Sequence, residues 1–211
     1  MKRNTMKTSQ NKWENVSKRR VGLIPTANAA GMIGPNVFQY EGDLPEKIDS
    51  NDERMLNVLY DRVLAKENPQ MIFSGEGSVS PKGAMGFSQL MPATVKDPGE
   101  GIIALLPEDE RKHLEVGEKA LTDPVANLLF GFYYLKAMLI RYDGNVAEAL
   151  SAYNDGLGDH DTLVQQYGGK WHKYSPDETK DYIRSIKGYM AKAPEMELPK
   201  SKPKRKAGGF V

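Results

Sequence analysis

A chain of 211 residues, 39% hydrophobic and 27% charged, has material for one ordinary domain with extensions and too little for two comfortable ones. It has no cysteine, which excludes disulfides and thiolate metal sites, and His113, His160 and His172 are too scattered for a zinc site. The net charge of +1 hides an asymmetry. Residues 1–20 carry about +6 and residues 200–206 about +5, leaving the middle near −10.

Two basic ends on an acidic body suit tails that meet a polyanion, either DNA or an anionic membrane, or tails that stay solvated. Met1 to Arg20 lacks the apolar run of a Sec signal, and no later stretch approaches a membrane span. The expectation is a protein made in the cytoplasm.

Residues 1–49 read as an extended arm with a basic N-terminus. Pro25, Pro35 and Pro45 interrupt it, and Thr26 to Pro35 has small residues without an amphipathic face. Scattered apolar residues such as Leu23, Ile33 and Phe38 would let it wrap the body or dock on a partner. A helix is predicted from Ser50, where Ser50 and Glu53 have capping-box spacing, to Asn68, ahead of Pro69. Leu56, Tyr60, Val63 and Glu67 are spaced 4, 3 and 4, so Glu67 extends the buried stripe. A carboxyl there is poorly hydrated, which raises its pKa as a general acid requires. The bland alternative is an ordinary glutamate at a frayed helix end.

Gly75, Gly77, Gly83 and Gly86 make the next segment a loop, without a P-loop or dinucleotide pattern. Glu76 within it is the second candidate acid. It leads into Ser78-Val-Ser-Pro-Lys-Gly-Ala-Met-Gly-Phe-Ser-Gln-Leu-Met-Pro-Ala-Thr94. Residues 97–122 read as a connector with a turn at Asp97–Gly101, a short helix from Pro107 to about Glu115, and acids on a solvated face. Asp123-Pro124 then opens the best helix in the chain, with Leu128, Leu129, Phe132, Leu135 and Leu139 on one side. Asp143–Asn145 ends it, and the helix that follows carries Ala149-Leu-Ser-Ala-Tyr-Asn-Asp-Gly-Leu-Gly158. Ser175–Glu178 reads as another capping box, starting a helix to about Met190 with Glu178-Thr-Lys-Asp-Tyr-Ile183 in its first turns. From residue 192 a Pro/Lys-rich composition marks a basic tail.

Three of these blocks, in order, resemble the soluble lytic transglycosylase family, related to goose-type lysozymes. Residues 78–94 resemble A-V-S-P-K-G-A-x-G-L-M-Q-L-M-P-A-T, residues 149–158 resemble A-L-A-A-Y-N-A-G-P-G, and residues 178–183 resemble E-T-x-x-Y-V. The resemblance implies a mainly α, lysozyme-like helical domain with a substrate cleft over residues 50–191, flanked by the arm (1–49) and the tail (192–211). It also implies a catalytic Glu67, with Ser80, Gln89, Tyr153, Asn154 and Tyr182 binding the substrate or placing the acid, and no cofactor or metal. In that family one glutamate cleaves the bond between N-acetylmuramic acid and N-acetylglucosamine without consuming water, leaving a 1,6-anhydro product.

Four of the chain's departures from the pattern bear on the chemistry. Asn68-Pro69 follows Glu67 where the family has Ser and Gly, Ser88 replaces Met, Asp155 replaces Ala, and Leu157 replaces Pro. Ser88 is expected to make the cleft floor smaller and more polar. Asp155 is open between a loop acid and a second carboxylate, which would favour a hydrolytic muramidase; a third reading keeps the fold as a non-catalytic docking protein. Missing export signals and the basic ends suggest a bacteriophage virion protein acting on the cell wall in the periplasm. Its partners would be peptidoglycan glycan strands and, through residues 1–49 and 192–211, other virion proteins.

Overall fold

The structure, a computed structural model, describes residues 42–69 and 79–188. Most of the arm, the glycine loop with Glu76, and the tail lie outside the described residues.

Helix α1 (Glu53–Glu67) starts later than the capping box suggested. Asp52 is the cap, its carboxylate accepting from the Met55 N–H at 3.1 Å, while Ser50 lies in the preceding turn. An aspartate two residues further on is as good a cap as serine and wins by position. Leu56, Leu59, Tyr60, Val63 and Leu64 are buried, and so are Asn57, Val58 and Arg62, so α1 runs through the body instead of along its surface. Arg62 is tolerated there because its guanidinium donates to the Gly42 carbonyl (2.7 Å) and to the Ile186 and Lys187 carbonyls (3.1 and 3.0 Å). The last two belong to the C-terminal end of α8 (Asp177–Lys187), where unsatisfied carbonyls and the helix dipole favour a cation.

The short helices α2 (Glu108–Arg111) and α3 (Glu118–Thr122) precede α4 (Pro124–Arg141). Asp123 caps α4 by accepting from the Ala126 N–H at 2.8 Å, with Pro124 at the first helical position as expected. Helix α4 packs against α1, α3 and α5 (Val146–Asp155). Phe130, Leu135, Met138 and Leu139 are among its fully buried side chains, whereas Val125 is exposed. Residues 42–49 lie on this body. The Leu44 and Ile48 side chains are buried, and their N–H groups donate to the Lys187 and Gly144 carbonyls.

Acids of the connector are not all on a solvated face. Glu110 is buried and accepts from the Lys136 ammonium of α4 at 2.8 Å, a non-local pairing. Removing the cation leaves a buried carboxylate uncompensated, so Lys136→Met is expected to lower stability by about 3 kcal/mol in urea unfolding at neutral pH.

Helices α6 (Leu157–Tyr167) and α7 (Trp171–Tyr174) follow, and α8 completes the fold. No side chain caps α8; the Ser175 hydroxyl donates back to the Trp171 carbonyl at 3.3 Å instead. Helices α5 and α8 pack on each other, and α1 packs on α8. This meeting of three helices brings the C-terminal end of α1 beside Tyr182. Among the described residues there is no β-strand, only isolated bridges, two of them joining Val79, Met85 and Leu90 in the loop after α1.

Candidate active site

Glu67 is the last residue of α1, and its carboxyl forms part of an open cleft of about 970 Å³. Ser80, Gln89, Tyr153 and Asn154 line the same cleft, together with Met91, Thr94, Tyr134 and Asp155. Residues from four separate segments therefore converge, and Tyr182 reaches Glu67 from beside the cleft. Tyr134, Thr94, Asp159 and Glu178 were not anticipated. Tyr134 sits in the Phe-Tyr-Tyr run of α4, where an aromatic reads equally well as core.

Burial pushes the Glu67 carboxyl above the ordinary glutamate pKa; the Tyr182 hydroxyl and the Lys66 charge pull in the opposite direction and do not cancel it. Tyr182 donates to Glu67 Oε1 at 2.5 Å and is itself buried. Its phenol is held well above the usual tyrosine range by burial and by the neighbouring Glu67 charge, so it remains a donor. The pair fixes one carboxyl oxygen of Glu67.

Tyr153 is anchored from below. Its hydroxyl donates to the Ser88 carbonyl at 2.8 Å, and burial raises its pKa well above the ordinary value. Gln89 follows with its backbone in the left-handed region (φ 46°) and its amide donating to the Gly86 carbonyl at 2.8 Å. A non-glycine residue in that region is held there by its surroundings, a feature found often at functional sites. Ser80 accepts from the Ala84 N–H at 2.9 Å, closing the turn that carries Lys82 over the rim.

Ser88 corrects an expectation. It is fully buried beneath the floor and does not line the cleft. Its hydroxyl shares a 2.6 Å hydrogen bond with Tyr60 of α1 and reaches the Asn127 carbonyl at 3.1 Å, while Tyr60 donates to the Leu128 carbonyl at 2.7 Å. The small side chain leaves space for the Tyr60 hydroxyl, and Gly131 leaves space for both: a Cβ there would lie 2.4 Å from Ser88 Oγ and 2.6 Å from the Tyr60 hydroxyl. Gly131→Ala is therefore expected to destabilise by about 1–3 kcal/mol, seen as a lower thermal midpoint, because neither neighbour can withdraw without losing a buried hydrogen bond.

Asp155 lines the cleft, yet its oxygens are engaged. Oδ1 accepts from Thr179 Oγ1 at 2.5 Å and from Asn154 Nδ2 at 3.0 Å, and Oδ2 accepts from Ser151 Oγ at 3.4 Å. Asn154 Nδ2 also reaches Thr179 Oγ1 at 3.3 Å. The carboxylate thus holds the Asn154 amide nitrogen toward itself and Thr179. Behind it, Ser151 meets His160 Nδ1 at 2.9 Å. Burial lowers the His160 pKa, which favours the neutral ring, and the ring stands perpendicular to that of Trp171. Asp97 accepts from the Gly99 N–H in an exposed turn and is not part of the cleft. Glu76 lies outside the described residues. No cluster of His, Asp and Glu suited to a metal occurs among the described residues.

The described residues thus form a mainly helical body with a desolvated carboxyl in an open cleft. Residues 75–175 match the family model for the Transglycosylase SLT domain, so over this stretch the chain is similar to that family. Glu67 and Tyr182 flank the matched stretch, and the fold joins them across it. Among solved structures, the chain is similar to an inactive mutant of the lytic transglycosylase Slt from Pseudomonas aeruginosa, at 22% identity and a TM-score of 0.49. The match covers 64% of this chain and 20% of that one, so the chain spans about a fifth of that protein's length.

Proposed function

We propose that the protein is a peptidoglycan lytic transglycosylase that cleaves the β-1,4 bond between N-acetylmuramic acid and N-acetylglucosamine and leaves a 1,6-anhydro end. The observation that carries this reading is Glu67, a partly buried carboxyl with raised pKa, oriented by Tyr182 and lining an open cleft. It gives its proton to the glycosidic oxygen as that bond breaks. The carbonyl oxygen of the substrate's acetamido group stabilises the cationic C1. The Glu67 carboxylate then takes the proton of the 6-hydroxyl as O6 bonds to C1, which restores the acid and consumes no water. Ser80, Gln89, Tyr153 and Asn154 hold the sugars.

Most two-carboxylate glycosidases need a second, free carboxylate. Asp155 is a poor one, because Thr179, Asn154 and Ser151 already occupy its oxygens. That engagement favours intramolecular attack over a muramidase. The products of purified peptidoglycan test the assignment: muropeptides whose masses are unchanged by borohydride are expected, since an anhydro end has no free aldehyde. Borohydride-reducible ends would make the protein a hydrolase.

The setting we propose is a bacteriophage particle that carries the protein and uses it to open the cell wall locally during genome entry. Support comes from the charge pattern, an acidic body between two basic ends suited to packaged DNA or other virion proteins. Antibody detection of the chain in purified particles, present before infection, is the outcome this setting requires.

A further inference from the structure

Two tyrosines outside the recognised blocks form an exposed stack on the wall of the cleft. Tyr167, the last residue of α6, lies with its ring 3.7 Å from that of Tyr174, the last residue of α7, at an interplanar angle of 13°. Tyr174 lines the same cleft as Glu67. It remains 54% exposed although Tyr167 covers one of its faces, so the exposure belongs to its other face and edge.

The mount is rigid. Gly168, in the left-handed region at φ 53°, reverses the chain after Tyr167. Trp171 is buried with its ring edge-on to His160 at 4.8 Å, and the Ser175 N–H and hydroxyl both donate to the Trp171 carbonyl, at 3.1 and 3.3 Å. A large apolar ring is thus held out in a cleft by buried supports on either side of it. Such a ring costs little conformational entropy when a ligand settles on it.

We infer that Tyr174, backed by Tyr167, is a sugar-stacking subsite for a pyranose ring of the glycan strand, additional to the positions held by Ser80, Gln89, Tyr153 and Asn154. The inference rests on the proposed function and extends it. The negative π face attracts the C–H bonds of a flat, β-linked pyranose. Asp159, Thr162 and Glu178, which line the same cleft, supply acceptors and a hydroxyl for the sugar's own hydroxyls. The polar lining also decides against a stacked nucleobase. Asp155, Asp159 and Glu178 outnumber Lys82, which itself lies 3.9 Å from Glu178, so a phosphate backbone would be repelled where a neutral polyol is not.

The test compares the full chain with Tyr174→Ala, Tyr174→Phe and Tyr167→Ala on peptide-free murein glycan, as long strands and as tetrasaccharides. Tyr174→Ala is expected to raise KM on long strands about three- to tenfold with kcat unchanged, and to leave tetrasaccharide cleavage alone. Tyr174→Phe keeps parent values, and Tyr167→Ala shifts KM in the same direction by less. Unchanged KM for Tyr174→Ala on long strands, an equal loss on tetrasaccharides, or a loss confined to peptide-bearing strands would each overturn the subsite. Calorimetric binding of the same strands to Glu67→Gln, with and without Tyr174→Ala, keeps the two readings apart. A parent that yields no products while strand binding still depends on Tyr174 defeats the proposed catalysis and upholds the subsite; an active parent indifferent to Tyr174 does the reverse.

Discussion

Glu67→Gln is expected to abolish turnover, with kcat falling about a thousandfold or more, while the protein becomes slightly more stable at neutral pH. The loss follows from the proposed chemistry, in which one carboxyl both gives and takes the proton; an amide does neither, and general acid–base catalysis contributes about 10² to 10⁴ at each use. The gain follows from linkage. The folded-state pKa of Glu67 is raised by burial, so the folded protein holds that proton more tightly than the unfolded chain does. Between the unfolded and folded pKa values the unfolded state therefore binds fewer protons, and stability declines as pH rises through that window. Glutamine has no charge to desolvate, and its carbonyl still accepts from Tyr182. Activity assays beside urea unfolding at pH 5 and pH 7 check both halves, and a variant that loses activity by unfolding would contradict the account.

Tyr182→Phe carries the second large effect. Its hydroxyl contributes the charge-assisted hydrogen bond that fixes Glu67 Oε1 at 2.5 Å, and it lowers the carboxyl pKa against the larger effect of burial. Losing it is expected to reduce kcat about 10- to 100-fold, the range of one hydrogen bond to a charged group. The direction of the pH shift is a sharper check than the size of the loss. Activity needs Glu67 protonated, so it declines as pH rises through the Glu67 pKa. Without the lowering influence of Tyr182 that pKa moves further up, and the alkaline limb of kcat/KM should move to higher pH. A limb that stays in place, or moves down, would mean that Tyr182 supports the fold without tuning the acid.

How far the sequence discloses these features depends on whether their causes are local. The 4-3-4 spacing from Leu56 to Glu67 discloses a carboxyl at the end of a buried face, because helical period is a local property. Asp123-Pro124 likewise discloses the start of α4. The start of α1 is less legible: Ser50 and Asp52 are both competent caps, and only the turn at Asp49–Asp52 decides between them. Helices α6 and α7 escape notice for a different reason. Only His160 of α6 is fully buried, so no apolar stripe marks that helix, and Tyr167 and Tyr174 meet through a turn that neither residue announces. Ser88 and Glu110 are the least legible of all. One is buried through Tyr60, 28 residues earlier, and the other through Lys136, 26 residues later; without those partners a serine in a loop and a glutamate in a connector read as surface.

Asp155 illustrates how geometry narrows a chemical alternative. On sequence it reads more readily as a loop acid than as the second carboxylate of a hydrolase. Its bonds to Thr179 and Asn154 give it a third role, holding the Asn154 amide in place at the cleft.

The central claim is that burial keeps a proton on Glu67 for transfer to the glycosidic oxygen. Its most direct test is a pH titration of the side-chain carboxyl by ¹³C NMR in glutamate-labelled protein, the Glu67 signal being assigned by its absence from Glu67→Gln. A midpoint above that of the exposed glutamates is the predicted result. A midpoint at or below theirs would leave Glu67 ionised where the reaction needs its proton, and would contradict the account.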